Sequence, residues 1–115
     1  MKAIIVDDEV QSHEVLGSLL SQYHPDIEVL AHGYNVREGV ELIRKNPPEL
    51  LFLDVEMPDG LGFDLLEKIS TPDFYVIFTT GFAKYAHTAI KFGALDYLLK
   101  PIDREELADA PGGRR

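Results

Sequence analysis

Apolar residues along the chain fall into two alternating patterns. Short apolar runs occupy residues 3–6, 27–31, 50–53, 75–78 and 97–99, rich in Ile, Val, Leu and aromatics. Such runs suit strands buried on both faces, although periodicity alone does not separate them from pieces of buried helix. The intervening stretches decide the matter. Val15, Leu16, Leu19, Leu20 and Tyr23 recur at helical spacing, as do Val36, Val40 and Ile43, then Leu65, Leu66 and Ile69, then Ala86, Ala89 and Ile90. Each stretch meets a stop signal: His24-Pro25, Asn46-Pro47-Pro48, Thr71-Pro72 and Gly93. The sequence therefore reads β-α five times, which predicts an α/β fold with a parallel five-stranded sheet and helices on both sides.

The last unit is cut short. Asp103 is placed to cap a helix over residues 104–109, and Pro111, Gly112, Gly113, Arg114 and Arg115 end it. One domain over residues 1–110 is expected, with residues 111–115 as a tail that reads equally as a linker, a cut end or a natural terminus. With 115 residues and 45% apolar content the chain supports a single core. Twenty acids against eleven bases give a formal charge of −9, the wrong sign for gripping nucleic acid, and favour cations or basic partners. The absence of cysteine excludes disulfides, thiolate zinc sites and a cysteine nucleophile. Lys2 is followed by only four apolar residues before Asp7, Asp8 and Glu9, too few for a signal peptide or a membrane span. A cytoplasmic protein without membrane contact is the expectation.

In an open parallel sheet the ligand crevice lies beyond the carboxyl ends of the strands. The first predicted strand ends in Asp7 and Asp8; the third in Asp54, with Glu56 two residues on; the fourth in Thr79 and Thr80, followed by Gly81; the fifth in Lys100-Pro101. The second ends in His32 and Gly33 and adds nothing comparable. Taken singly, these residues have ordinary readings: Asp7 or Asp8 as a helix N-cap, Thr80 as a strand-end residue, Lys100 as a solvated charge. Their conjunction does not. Two carboxylates ~5 Å apart repel by roughly 3 kcal/mol at an effective dielectric of about 20, so gathering Asp7, Asp8 and Asp54 calls for a cation. Lys100 offsets one charge. A divalent ion held by few oxygen ligands points to magnesium, whereas zinc would want imidazole or thiolate, and His13, His24, His32 and His87 are scattered without ligand spacing. A carboxylate beside magnesium, with Lys100 and the Thr80 hydroxyl at hand, is suited to accept a phosphoryl group as an aspartyl phosphate, and Gly81 leaves the approach open.

These residues carry a resemblance. Asp7-Asp8, "LLFLDVEMPDGLGFDLL" around Asp54, Thr80-Gly81 and "ALDYLLKP" ending in Lys100-Pro101 resemble the receiver domain of two-component response regulators, over residues 1 to about 110. The resemblance implies a flavodoxin-like (βα)5 sandwich with strand order 2-1-3-4-5. It implies that a sensor histidine kinase donates a phosphoryl group to Asp54. It implies Mg2+ bound by Asp8 and Asp54, by Asp7 largely through water and by the Glu56 backbone carbonyl, with Lys100 pairing the phosphate and a cis bond to Pro101. Thr80 and Tyr97 match the family's switch pair, which would remodel a face including Ala83, His87, Lys91 and Tyr97. "FTTGFAKYAHTAIKFGALDYLLKPID" is similar to receivers that precede a LytTR-type DNA-binding domain, an output not present in this chain. Homodimerisation through the fourth and fifth helices is implied as well, although the fifth helix is shorter than usual.

On this reading the chain is a phosphorylation-controlled binding module, with weak self-catalysed phosphorylation and dephosphorylation rather than turnover. The alternative enzyme class, a haloacid-dehalogenase-like phosphatase, uses the same residue types. It wants its nucleophile on the first core strand and a second Asp two residues later, where this chain has Glu56. A degenerate receiver signalling without phosphate is the third reading.

Overall fold

A computed structural model describes residues 1–70, 72–103, 105 and 107. Five parallel strands form one sheet: β1 (Lys2–Val6), β2 (Glu28–Gly33), β3 (Leu50–Leu53), β4 (Tyr75–Thr80) and β5 (Asp96–Leu99), in the order 2-1-3-4-5. The register sets β1 between β2 and β3, with Val6 opposite both Gly33 and Leu53, so their carboxyl ends finish level. Residues 54 and 7 leave the sheet side by side as a result. The helices are α1 (Val10–Tyr23), α2 (Val36–Lys45), α3 (Gly62–Lys68) and α4 (Ala86–Lys91), the last preceded by a 3-10 turn at Ala83–Tyr85.

The apolar runs are explained by two cores, one on each face of the sheet. Ile4, Val6, Leu51, Leu53, Val76 and Phe78 face α2 and α3, packing with Val36, Val40, Ile43, Phe63 and Leu65. Ala3, Ile5, Leu50, Phe52, Ile77 and Leu98 point the other way, toward Leu16, Leu20 and Leu107. Alternation along a strand sends neighbouring side chains to opposite faces, so a strand covered on both sides must be apolar throughout.

β2 and β4 end at Gly33 and Thr80, where the sequence reading placed their ends. The structure departs from that reading in three places. The inward face of α1 is His13, Leu16 and Leu20, while Val15 is 42% exposed. Ile90 is 74% exposed, because α4 has only six residues before Gly93 turns the chain at φ 73° and only Ala89 of that helix is buried. A two-residue antiparallel ladder that the sequence reading did not include, Glu56–Met57 with Gly60–Leu61, follows β3. Its tip is anchored: Asp59 accepts hydrogen bonds from the Val36 and Arg37 amides at 2.8 and 3.0 Å, satisfying donors at the start of α2. The predicted helix over residues 104–109 and the tail 111–115 lie largely outside the described residues, although Leu107 is fully buried against the α1 side.

Candidate functional site

The C-terminal ends of β1, β3, β4 and β5 surround a cleft of about 620 Å³. Asp7, Asp8, Glu9, Asp54, Glu56, Thr79 and Lys100 line it, and Val15, Phe82, Pro101 and Ile102 form an apolar wall. Asp7 and Asp54 are 1% and 5% exposed, a depth at which carboxylates are rare without a partner. Backbone bonds fix both: the Asp7 amide donates to the Gly33 carbonyl at 3.0 Å and the Asp54 amide to the Val6 carbonyl at 2.9 Å. Neither Asp7 nor Asp8 is an N-cap of α1. That position is Glu9, whose amide donates to Asp7 Oδ1 at 2.9 Å, so Asp7 organises the β1–α1 turn with one oxygen and presents the other.

That second oxygen meets Lys100. The ammonium lies 2.8 Å from Asp7 Oδ2, 2.7 Å from Glu9 Oε1 and 3.5 Å from Asp54 Oδ2. Burial works against its charge, but hydrogen bonds to Asp7 and Glu9 and the charges of Asp54 and Asp7 outweigh it and hold Lys100 above the usual lysine range. Glu9 is lowered by its hydrogen bond to Lys100 and by that residue's charge. Asp54 goes the other way. Burial, then the charge of Asp7, raise it to about 7, with Lys100 opposing and Asp8 adding to the rise. A single cation thus serves several acids, and Asp54, the farthest of the three bonded to it, is the one left to hold its proton.

One carboxylate oxygen each from Asp7, Asp8 and Asp54 lies within 4.8 Å of the others. Three oxygen donors, two buried and one exposed, fit a hard divalent cation that retains water, so these side chains satisfy the requirement for Mg2+ on their chemistry. Glu56 sits at the rim, half-buried, and accepts a hydrogen bond from the Tyr85 hydroxyl.

The remaining anticipated residues divide. Thr80 is fully buried and its Oγ1 accepts from the Phe82 amide at 3.4 Å, while Thr79, set aside in the sequence reading, is the threonine on the cleft wall. Tyr97 packs its ring against Phe78, centroids 6.3 Å apart, and donates its hydroxyl to the Phe82 carbonyl. Lys100–Pro101 is cis. A methyl group at Gly81 would meet nothing within 4 Å, so the approach is open there.

Two features escaped the sequence. The histidines do pair: His13 Nδ1 and His32 Nδ1 are 2.8 Å apart, and His13 Nε2 donates to the Asp7 carbonyl at 2.8 Å. Burial and the neighbouring His13 push the His32 imidazole down. Sequence spacing hid this, because His13 and His32 lie 19 residues apart on different elements, and the apolar pattern of α1 left His13 out. Gly62 is the second. A Cβ there would stand 2.4 Å from the Asp54 carbonyl oxygen, so only glycine lets the start of α3 pack behind the acid. The "DGLGFD" stretch held the clue, since glycine is the residue that permits a close backbone approach.

The sequence profile of the response regulator receiver domain matches residues 3–111. The chain belongs to this family. Receiver domains are phosphoacceptor signalling modules of two-component systems that interact with histidine kinases and typically use Mg2+ at an acidic pocket. This receiver is 40% identical to the sensory transduction protein LytT of Enterococcus faecalis over 93% of its own length and 45% of the relative's. It is 39% identical to the transcriptional regulatory protein BtsR of Escherichia coli K12, over 93% and 45%. The chain thus spans less than half the length of these relatives. Among solved structures, the receiver domain of AraT from Geobacillus stearothermophilus superposes with a TM-score of 0.87 at 30% identity, covering 97% of this chain and 90% of that one. The response regulatory domain of MrkE from Klebsiella pneumoniae gives 0.86 at 26%, covering 95% and 90%.

Proposed function

We propose that this receiver accepts a phosphoryl group on Asp54 from the phosphohistidine of a sensor histidine kinase, and that the acyl phosphate switches a protein-interaction face. One observation carries the proposal: a buried carboxylate, fixed by the sheet, shares a pocket with two further acids and an ammonium 3.5 Å away. A carboxylate oxygen of Asp54 attacks phosphorus, the P–O bond forms as the P–N bond breaks, and the imidazole leaves with its electron pair. Asp7, Asp8, Asp54 and the Glu56 backbone carbonyl would hold Mg2+, which supplies charge neutralisation at the transferring oxygens. Lys100 adds a positive charge on the other side, exchanging part of its hold on Asp7 and Glu9 for the phosphoryl oxygens. Because Asp54 tends to retain a proton, the ammonium and a bound cation also serve to keep it ionised as the nucleophile.

The switch runs through Phe82. Its amide donates to the Thr80 hydroxyl at 3.4 Å, a long contact worth little, while its carbonyl accepts from Tyr97. Thr80 turning toward a phosphoryl oxygen gives up that contact, and the Phe82 backbone that it held together with Tyr97 is loosened. The affected surface includes Ala83, His87 and Lys91 with the exposed Ile90, the face proposed for homodimerisation through the fourth and fifth helices. The names of the LytT and BtsR relatives, and their extra length, support a LytTR-type DNA-binding output beyond the residues in hand. No helix among the described residues is long and apolar enough to cross a membrane; cytoplasmic action belongs to the same proposal.

Incubation with acetyl phosphate and Mg2+ tests the reading. The chain should gain one hydroxylamine-labile phosphoryl group, Asp54→Asn should gain none, and EDTA should abolish uptake. Release of inorganic phosphate from added phosphomonoesters, with no labelled chain, would establish the phosphatase alternative instead.

A further inference from the structure

Among the described residues, the two loops flanking the cleft are joined by one polar contact, the bond from the Tyr85 hydroxyl to the Glu56 carboxylate. It links the turn after β3 to the turn before α4, residues 29 apart in sequence. Tyr85 is well fixed to make it. Its ring lies 6.1 Å from Phe63 and edge-on to Phe82 at 6.2 Å, and the Lys84 ammonium sits over both the Phe82 and Tyr85 rings, at 5.5 and 5.2 Å. Glu56 lines the cleft that already holds Asp7, Asp8 and Asp54, and Lys100 is committed to Asp7, Glu9 and Asp54. Among the described residues, the phenol is thus the partner that restrains the Glu56 charge at the cleft mouth.

We propose that Tyr85 is a positioning residue that pins the Glu56 carboxylate at the rim and so keeps the cleft open to anionic phosphoryl donors. This rests on Asp54 being the acceptor. Released, the Glu56 carboxylate is free to sweep the mouth. There it offers Mg2+ an additional oxygen while repelling the donor, so one deletion moves two quantities in opposite directions.

The experiment compares wild type, Tyr85→Phe, Glu56→Gln and the double variant. Mg2+ affinity is measured by calorimetry, and the rate of phosphorylation by acetyl phosphate at saturating Mg2+. Tyr85→Phe keeps the ring and its packing, and Gln at 56 still accepts the hydroxyl without the charge. Tyr85→Phe should slow phosphorylation about three- to tenfold and tighten Mg2+ about two- to threefold, both vanishing in the Glu56→Gln background. Equal effects of Tyr85→Phe in both backgrounds, weakened Mg2+ together with slowed phosphorylation, or no change at all would each overturn the proposal. Failure of the wild type to take up phosphate would instead remove the acceptor reading on which it stands.

Discussion

The floor of the cleft and its rim are built on different principles. The floor, at the ends of β1 and β3, has Asp7 and Asp54 almost fully buried, each with its amide in a bond to a neighbouring strand, over a core in which Val6, Leu53 and Val55 have no exposed surface. The rim, from Gly81 to Gly93, is a 3-10 turn and a six-residue helix with Phe82, Ile90 and Phe92 exposed, tied down by two tyrosine hydroxyls. Chemistry that needs fixed geometry sits where the fold is stiffest, and a segment that must move is held by few, exchangeable bonds. The same Gly→Ala change should therefore act oppositely in the two places.

At Gly62 the added methyl group would stand 2.4 Å from the Asp54 carbonyl oxygen and 3.0 Å from Leu53 Cγ, in a region with no room to yield. Gly62→Ala should cost about 3 kcal/mol in urea unfolding, at the upper end of overpacking penalties, and displace Asp54 enough to slow phosphorylation. A loss below about 1 kcal/mol would show that the floor is softer than its packing indicates.

Lys100→Ala comes next. It leaves Asp7, Glu9 and Asp54 facing one another without their shared cation, and the Lys100 side chain is only 17% exposed. The metal-free chain should lose about 2 kcal/mol, somewhat less than for a fully buried pair because Glu9 is solvated. Mg2+ at millimolar concentration should recover most of that loss, measured as the shift in unfolding midpoint on adding the ion.

Asp54→Asn inverts the sign. The carboxyl titrates near 7 in the folded chain against an ordinary 3.8, so between these values the folded state holds a proton that the unfolded state has released. Stability from this group is greatest at low pH and falls as pH rises from about 4 to about 7, after which the folded chain carries the full cost of the buried charge. Asn does not titrate. Without metal, Asp54→Asn should therefore gain about 1–3 kcal/mol over wild type at pH 8, and the gain should shrink toward zero near pH 4. Unfolding curves in EDTA across that range provide the check. Mg2+ binding by wild type near pH 6 should release a proton, visible as buffer-dependent heat, and the Asn variant should release none from this position.

The legibility of the sequence follows the same division. The floor could be read because a strand covered on both faces leaves an unbroken apolar run, and the residue that ends it marks the crevice: Asp7, Asp54 and Lys100 were located that way. The rim could not. Ile90 looked like core because its spacing from Ala86 is helical, yet α4 is too short to bury it. Tyr85 is unremarkable until the loops meet, Glu56 was read as a site residue without its partner, and which of Thr79 and Thr80 faces the cleft depends on strand phase at its last two residues. His13 was missed through phase as well: two apolar neighbours, Val15 and Leu19, drew the helix face away from it, whereas its bond to the Asp7 carbonyl required tertiary structure to be seen.

Gly81→Ala is the smallest change and the sharpest counterpart to Gly62→Ala. Position 81 is exposed, has no positive φ, and a methyl group there touches nothing within 4 Å. With no native-state penalty, the substitution acts on the unfolded chain, whose backbone freedom it reduces, and should stabilise the protein by about 0.5 kcal/mol. Phosphorylation by acetyl phosphate should stay within about twofold of wild type, since neither the charge of the cleft nor the reach of Lys100 is altered. A destabilisation would mean that the rim is packed as tightly as the floor. A large loss of phosphorylation with unchanged stability would mean that the segment needs glycine in order to move, placing the hinge of the switch at Gly81 rather than at the exchange of hydrogen bonds on Phe82.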